Sequence, residues 1–197
     1  MMIVWKSAVI LSNIMMCTEI EAKLKVNSHE QVERRLIELG AEFIAEQSQT
    51  DCHFDDANAT LSKGDRALRL RRQLIGSSTR FFLTYKGPKE KSDFKKRQEV
   101  EIEISDASST EKLLTALGYK KVITVEKTRR LWRLSECEVA LDSLPLLGDF
   151  VEIEGPDDET INSVRKSLGL SGAPHIAKSY AALTKAKLHE RRHDAAK

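Results

Sequence analysis

The stretch Thr18-Glu-Ile-Glu-Ala-Lys-Leu-Lys25 decides the fold of this chain, because its charged and apolar residues alternate. In a β-strand, alternate residues share a face, so Glu19, Glu21 and Lys23 lie on one side and three apolar residues lie on the other. Two carboxylates one strand repeat apart, about 7 Å, can share one hard divalent cation. The stretch therefore predicts an amphipathic strand whose charged face lies in water or in a polar cavity.

The same alternation recurs along the chain with an unusual density of charge. The acids at alternating positions are Glu19, Glu21, Glu99, Glu101, Glu103, Asp142, Glu152 and Glu154. The bases are Lys23, Lys25, Arg69, Arg71, Lys86, Arg97, Lys127 and Arg129. A sheet with a solvated outer face would explain any single strand of this kind. If the sheet curls into a barrel instead, its charged face becomes the lining of the lumen.

The charges of such a lining limit the class of ligand that the lumen could bind. Burying so many ionised groups is unfavourable unless they are paired or bind a ligand. A lumen of both signs predicts an anionic ligand that carries a metal, because bases hold phosphate oxygens and carboxylates hold the cation. Oxygen ligands suit Mg²⁺ or Mn²⁺, and no His/Cys cluster in the sequence indicates zinc.

The composition is that of a globular domain without a strong charge excess. The 197 residues, 41% of them hydrophobic, are enough for one domain with a sizeable core. The net charge of +2 lacks the basic excess of most nucleic-acid binders, so no nucleic-acid partner is expected. Cys17, Cys52 and Cys137 form no CxxC pair, which disfavours disulfides and indicates a reducing compartment, the cytoplasm.

The N-terminal residues 1–16 differ in character from the rest of the chain. Their apolar runs are too short to cross a membrane, and they lack a convincing cleavage site for a signal peptide. A disordered tail, a weak targeting segment and an extension upstream of the real start all fit, and an unstructured or artefactual extension is the preferred interpretation. We expect this extension over residues 1–16, one domain over residues 17–184, and a basic helix end or tail over residues 185–197.

Helices are predicted between the charged strands. The apolar periodicity indicates helices over residues 29–39, 109–117 and 158–168, each followed by a glycine, and a final helix over residues 176–193. Three strands with alternating glutamates, around residues 19–21, 99–103 and 152–154, each precede one of the first three helices. This loose repeat suggests a pseudo-symmetric strand–helix layout, although repeats this short also arise by chance.

The first of these helices has the clearest signals. Ser28 and Gln31 have the spacing of a capping box. Val32, Leu36 and Leu39 lie on one face of the helix, and the apolar faces of the strands are the available partner for that face.

Several of these segments resemble one known family. Glu19-Ile-Glu-Ala-Lys23 is similar to the ExExK signature of the CYTH superfamily, the triphosphate tunnel metalloenzymes. These include class IV adenylate cyclases, thiamine triphosphatases and inorganic triphosphatases. Further matching segments are Asp51–Asp55, Ala67–Arg71, Leu83–Pro88, Arg97–Glu101, Val125–Arg129, Leu141–Asp142, Leu147–Glu154 and Lys178–Tyr180. The resemblance covers residues 18 to about 184 and is nearest to the class IV adenylate cyclase-like branch.

The resemblance implies the fold, the cofactor and the substrate class. It implies an α+β fold with an eight-stranded antiparallel β-barrel, a charged hydrophilic tunnel and flanking helices. It also implies dependence on Mg²⁺ or Mn²⁺ and a triphosphate substrate such as ATP, tripolyphosphate or thiamine triphosphate. Relatives are often dimers, so a homodimer is compatible with the family, although nothing in the apolar pattern specifies an interface.

The resemblance also implies roles for individual residues. The implied metal ligands are Glu19 and Glu21, then Glu152 and Glu154, with Glu99 or Glu101 for a second ion. The positions implied to bind phosphate are Arg69, Arg71, Lys86, Arg97, Lys127, Arg129 and Lys178, and the alternative for these bases is salt bridging with the acids.

Two further residues are candidates for catalysis. Lys23 would bind phosphate or orient the nucleophile. Asp142 would orient the attacking group or pair with Arg129. His53 has the side chain of a general base, but its place at the end of a strand favours a solvated histidine.

Three functions fit these residues. The first, which the resemblance to the class IV adenylate cyclase-like branch favours, is a metal-dependent cyclase that would convert ATP into cyclic AMP and pyrophosphate. A triphosphatase would instead release phosphate from tripolyphosphate, thiamine triphosphate or a nucleotide. A catalytically silent polyphosphate- or nucleotide-binding module is the third. The cyclase requires a site for adenine, for which Phe54, Phe150 and Tyr180 are candidates.

Overall fold

The computed structural model describes residues 15–195, so the predicted N-terminal extension lies outside the described residues except for Met15 and Met16. The strands are β1 Met15–Lys25, β2 Glu42–Asp55, β3 Ala67–Ile75, β4 Ser78–Glu90, β5 Lys95–Ile104, β6 Lys120–Leu134, β7 Cys137–Leu144 and β8 Gly148–Glu154. The helices are α1 Glu30–Glu38, α2 Thr60–Lys63, α3 Ala107–Ala116, α4 Asp158–Ser167 and α5 Tyr180–Asp194.

The eight strands form one closed barrel in the order β1-β5-β4-β3-β2-β6-β7-β8. Every neighbouring pair is antiparallel, which confirms the predicted fold. The apolar faces of the strands point outward and are covered by helices, so the main core lies outside the barrel. There, Ile20, Ala22 and Leu24 of β1 pack with residues of α1, α4, β7 and β8. The charged faces are left to line the lumen.

A second part of the core lies under α3. Leu114 of this helix packs against Phe54 of β2 and Leu70 of β3. Among residues 15–195, no helix has the length and apolar character needed to cross a membrane.

The predicted repeat is confirmed and has a spatial counterpart. The pairs β1–α1, β5–α3 and β8–α4 have the same order, and each helix is followed by a glycine with positive φ at Gly40, Gly118 or Gly169. In the barrel, β1 lies between β5 and β8. The three glutamate-rich strands therefore form one continuous wall.

The ends of α1 and α5 differ from the prediction, and α3 begins at Ala107 instead of at residue 109. His29 rather than Ser28 occupies the N-cap of α1, and the Ser28 hydroxyl accepts a hydrogen bond from the backbone N–H of Glu30, so the capping box does not form. Leu39 is 38% exposed because it lies at the C-cap, beyond the last turn that faces the sheet. Helix α5 begins at Tyr180, four residues later than predicted, because the backbone N–H of Ile176 bonds to the carbonyl of Lys23 instead.

Two adjacent residues of α1 test the packing of this helix. Leu36 is fully buried, so Leu36→Ala is expected to lower the free energy of unfolding by about 3 kcal/mol. Its neighbour Ile37 is 62% exposed, and Ile37→Ala is expected to change that free energy by less than about 0.5 kcal/mol. Urea unfolding monitored by circular dichroism measures both values. Equal losses in the two variants would contradict the described packing of α1.

Candidate active site

The barrel lumen is lined by ionised side chains of both signs. Ten of these residues are buried: Glu19, Glu21, Lys23, Asp51, Lys95, Arg97, Glu99, Lys127, Asp142 and Glu152. The side chains of Arg69, Arg71, Lys86 and Arg129 are only slightly more exposed. Of the two arrangements that the sequence allowed, the structure shows the barrel lining and not the solvated sheet.

One network of charges is centred on Lys86 of β4. Its Nζ donates to both carboxylate oxygens of Glu19 at 2.7 Å and lies 2.9 Å from Glu99. Burial opposes protonation of Lys86, yet Glu19 and Glu99 raise its pKa above the ordinary value. Next to them, Arg69 lies 3.3 Å from a carboxylate oxygen of Glu101 and 3.9 Å from Glu99. Four strands therefore contribute to one group of paired charges.

Asp51 of β2 extends this network, and the sequence did not single it out as a site residue. It accepts two hydrogen bonds from Arg71, Nε to Oδ1 at 2.6 Å and Nη2 to Oδ2 at 2.7 Å. Burial works against its ionisation, but Arg71 and Arg69 hold the pKa of this carboxyl well below its usual range. Asp51 thus fixes two of the predicted phosphate-binding arginines in the lumen.

The second network joins β1, β5, β6 and β8. Glu21 accepts a hydrogen bond from Lys95 at 2.5 Å and a longer one from Lys23 at 3.5 Å. The ammonium of Lys23 also lies 3.1 Å from Glu152, which in turn accepts a hydrogen bond from Arg129. Lys95 is a lumen residue that the sequence did not single out, although it shares the strand parity of the predicted Arg97.

Asp142 of β7 lies at the centre of a set of donors and has no exposed surface. It accepts hydrogen bonds from Arg129 Nε and Nη2, both at 2.6 Å, and from Lys127 Nζ at 3.1 Å. The Tyr180 hydroxyl donates to Oδ2 at 3.0 Å. Burial opposes ionisation of Asp142, but Arg129 and Lys127 keep its pKa below the ordinary value. Of the two roles expected for Asp142, the geometry shows pairing with Arg129.

Lys127 differs from Lys86 in its protonation. Burial and the nearby Arg129 lower the pKa of Lys127 to about 8, although Asp142 opposes them. Lys127 is therefore a base whose charge changes in the neutral to alkaline range, whereas Lys86 stays protonated there.

The segment before α5 contacts the lumen at Lys23. The backbone N–H of Lys23 donates to His175 Nδ1 at 3.2 Å, and its ammonium donates to the carbonyl of Lys178 at 3.3 Å. The ring of Tyr180 lies 4.3 Å from the ammonium of Lys23 and 4.9 Å from that of Lys127, which are cation–π distances. Tyr180 thus touches lysines from two different strands.

Some predicted positions lie away from the lumen cluster. The side chain of Lys178 is exposed, and only its carbonyl reaches Lys23, so the structure does not bring this predicted phosphate-binding side chain into the lumen. Lys25 is exposed and donates to the carbonyl of Leu147 at 2.5 Å. Glu103 is exposed and pairs with Arg80. Lys25 and Glu103 lie at the C-terminal ends of β1 and β5.

Three further predicted residues differ in their burial. Arg97 is buried and reaches Asp65 at 3.5 Å. Glu101 and Glu154 are half-buried on the acidic wall. Glu101 accepts a hydrogen bond from the Thr84 hydroxyl at 2.7 Å.

His53 is half-buried and not solvated as expected, because it shares its strand face with Asp51. Burial lowers its pKa to about 4, with Arg69 and Arg71 acting in the same direction and Asp51 opposing them. His53 is therefore a neutral imidazole at neutral pH.

The carboxylates of the lumen supply the donor atoms that a hard divalent cation prefers. Glu19 and Glu99 flank the ammonium of Lys86, and Glu21 and Glu152 flank that of Lys23. Within residues 15–195, no three Asp, Glu, His or Cys side chains converge closely enough to hold an ion. The donor chemistry fits Mg²⁺ or Mn²⁺, and these lumen glutamates are the residues that would hold such an ion.

Similarity to known proteins extends over the residues that build this lumen. The family model described as the CYTH domain matches residues 18–180. A Methanocaldococcus jannaschii protein provisionally named an adenylate cyclase is 31% identical over 171 residues, 82% of this chain and 95% of that protein. An Aeromonas hydrophila protein named adenylate cyclase is 28% identical over 180 residues, 86% of this chain and 90% of that protein.

A solved structure shares the fold at lower identity. It is a Hippeastrum protein provisionally named an adenylyl cyclase and described as having a dominant triphosphatase activity. The TM-score is 0.67 at 19% identity, and the match covers 85% of this chain and 95% of that one. At this identity the similarity supports the fold alone.

Proposed function

Because this chain belongs to the CYTH domain family, we propose that it is a metal-dependent enzyme that acts on a triphosphate bound inside the barrel. The observation that carries the proposal is the set of paired charges in the lumen. Lys86 lies on β4, directly beside the acidic wall of β5, β1 and β8, and Arg69 and Arg71 lie on the next strand, β3. Burying so many ion pairs is unfavourable for a barrel with only a structural role, since apolar side chains of similar volume would serve as well or better.

A metal-bound triphosphate can replace these internal pairs without leaving charges unpaired. Lys86, for example, would exchange the carboxylates of Glu19 and Glu99 for phosphate oxygens, and the two carboxylates would then face a cation. The same exchange applies to Arg129, which would leave Glu152 for a phosphate. Each ion pair is thus split by a ligand that carries both signs, so neither partner is left buried and uncompensated.

The proposed roles follow the positions of the side chains. The metal ligands would come from Glu19, Glu21, Glu99, Glu101, Glu152 and Glu154. The phosphate-binding groups would be Arg69, Arg71, Lys86, Arg97, Lys127 and Arg129. A bound Mg²⁺ or Mn²⁺ would neutralise charge on the phosphate oxygens. The lumen bases would stabilise the charge that develops during phosphoryl transfer, while Asp142 holds Arg129 and Lys127 in place.

The packing of the aromatic residues favours hydrolysis over cyclisation of ATP. Phe54 is buried in the cluster under α3, and Phe150 is buried with its ring edge-to-face on Tyr180 at 5.2 Å. Tyr180 itself contacts Asp142 and two lysine ammoniums. The three rings expected to stack on adenine are therefore engaged in packing. Water attacking a terminal phosphorus requires no such site, so we propose a triphosphatase.

Cyclisation of ATP is the second candidate function. The name of the Aeromonas hydrophila relative supports it. The third candidate, a silent binding module, is disfavoured because Glu19, Glu21 and Lys23 of the ExExK segment are all buried in the lumen.

Product analysis separates the three functions. The protein is incubated with Mg²⁺ or Mn²⁺ and with tripolyphosphate, thiamine triphosphate or ATP, and the products are separated by anion-exchange chromatography. We expect orthophosphate without cyclic AMP from at least one substrate. Cyclic AMP with pyrophosphate from ATP would establish the cyclase and refute the triphosphatase. Binding without turnover would leave the binding module, and neither binding nor turnover would refute all three.

The charge state of Lys127 makes a separate prediction about pH. In the free protein, Lys127 loses its proton above a pKa of about 8, and a bound phosphate would favour the protonated form. The affinity for tripolyphosphate is therefore expected to fall as the pH rises above 8, by up to about tenfold per pH unit, with proton uptake on binding. Calorimetric titrations in two buffers of different ionisation enthalpy measure both effects. Lys127→Arg stays charged and is expected to flatten this dependence; an unchanged slope in that variant would refute the assignment to Lys127.

A further inference from the structure

Two histidines converge on the exposed end of α5, far along the helix from the lumen residue Tyr180. His189 and His193 are four residues apart, so they lie on one face of the helix. Their Nε2 atoms are 3.2 Å apart, and their ring centroids are separated by 4.4 Å. Both side chains are exposed, and no part of the proposed phosphoryl-transfer site involves them.

The distance between the two nitrogens matches the separation of neighbouring ligands on one metal ion. With metal–nitrogen bonds of about 2.0–2.1 Å and ligand–metal–ligand angles of about 90–110°, two ligand nitrogens lie about 2.9–3.4 Å apart. The observed 3.2 Å falls within this range. Only a small movement of exposed side chains would place an ion between them.

We propose that His189 and His193 form a bidentate surface site for a transition-metal ion such as Zn²⁺, Ni²⁺ or Cu²⁺. Imidazole nitrogens suit these ions, whereas the carboxylates of the lumen suit Mg²⁺ or Mn²⁺, so the two sites differ in the class of metal they take. Solvent completes the coordination, because within residues 15–195 no third Asp, Glu, His or Cys joins the pair. The nearby Glu190 pairs with Lys187 at 3.0 Å.

Chelation at this spacing also ties the last turns of α5 together. A helical turn brings the side chains at positions i and i+4 together, and a metal ion bound to both holds them there. Metal binding and formation of the last turns of α5 therefore favour each other. The proposal does not depend on the function of the barrel, since it uses neither the lumen nor a triphosphate.

The test is a calorimetric titration of the untagged full chain with Zn²⁺, in excess Mg²⁺ so that the oxygen ligands of the lumen are occupied. We expect one Zn²⁺ site. His189→Gln and His193→Gln are each expected to weaken it at least about tenfold, because a chelate is reduced to a single imidazole. Both residues are exposed, so neither variant is expected to disturb the fold.

A matched control keeps two histidines but separates them. Combining His193→Gln with Asp194→His places the second imidazole about 140° around the helix from His189 instead of about 40°. This double variant is expected to bind Zn²⁺ as weakly as His193→Gln alone. Zn²⁺ affinity equal to that of the wild type in either single variant, or in the double variant, would refute the site.

Discussion

Glu21→Gln is expected to lower metal-dependent triphosphate turnover at least about 100-fold while the barrel stays folded. Glu21 is buried between the ammoniums of Lys95 and Lys23, at 2.5 and 3.5 Å. The amide keeps the shape of the side chain and its hydrogen bonding, but removes the charge that a divalent cation requires. Turnover at saturating Mg²⁺ and circular dichroism are measured on the same preparation.

Glu103→Gln is the matched control for this variant. Glu103 lies on β5 with the parity of the lumen acids, but it is exposed and pairs with Arg80 outside the cluster. We expect its turnover to equal that of the wild type. If Glu21→Gln does not fold, Glu21→Asp is the variant to measure. It retains the charge on a shorter side chain, and its turnover is expected to require a higher concentration of Mg²⁺. A folded Glu21→Gln with wild-type turnover would refute the role of Glu21.

Asp142→Asn is expected to have the largest effect on stability, a loss of about 3–5 kcal/mol in the free energy of unfolding. Asp142 is fully buried and compensates the charges of both Arg129 and Lys127. Without its carboxylate, two buried cations face each other with less compensation. Urea unfolding at pH 7 measures the loss.

The pH dependence and a double variant identify the cause. Because the pKa of Asp142 is lowered by folding, its stabilisation is present above the unfolded pKa of about 4 and is lost as the pH falls through the folded one. The difference between wild type and variant should therefore shrink in acid. Adding Lys127→Met to Asp142→Asn removes one uncompensated cation and is expected to recover part of the loss. A loss of less than about 1 kcal/mol for Asp142→Asn would contradict the described contacts.

Sequence alternation predicted which face of each strand lines the barrel, but not how far along the strand that lining extends. The parity of Glu19, Glu21 and Lys23 was enough to identify one charged face, and the same parity on later strands identified the lumen. Lys25 and Glu103 share this parity but are exposed, because alternation gives the side of a strand and not its depth in the barrel. Depth depends on the stagger between strands, which a single sequence does not reveal.

The missed lumen residues lie where alternation gave a weak signal. Asp51 stands on a strand face where the neutral Gln47, Gln49 and His53 surround it and Asp55 at the strand end is the next charge, so no continuous row of charges marked it. Lys95 begins a run of three consecutive bases, which hides the parity that it shares with Arg97. Both could be found once the register of the neighbouring strands was known.

The resemblance to a family identified candidate site residues, but not which atoms of those residues make contacts in the site. Lys178 belongs to a matching segment, yet its carbonyl and not its ammonium contacts Lys23. Tyr180, two residues later, was considered only for adenine, whereas its hydroxyl bonds to Asp142 and its ring contacts two lysines. Three-dimensional contacts alone distinguish such roles.

The central claim is that the lumen binds a triphosphate together with a divalent metal. Anomalous scattering from Mn²⁺ in crystals grown with tripolyphosphate and Mn²⁺ tests this claim most directly. We expect a manganese peak inside the barrel, bound by carboxylates of the wall that carries Glu19, Glu21 and Glu152, with phosphates contacting Arg69, Lys86 or Arg129. Manganese and phosphate bound only outside the barrel, with the ion pairs of the lumen intact, would contradict it.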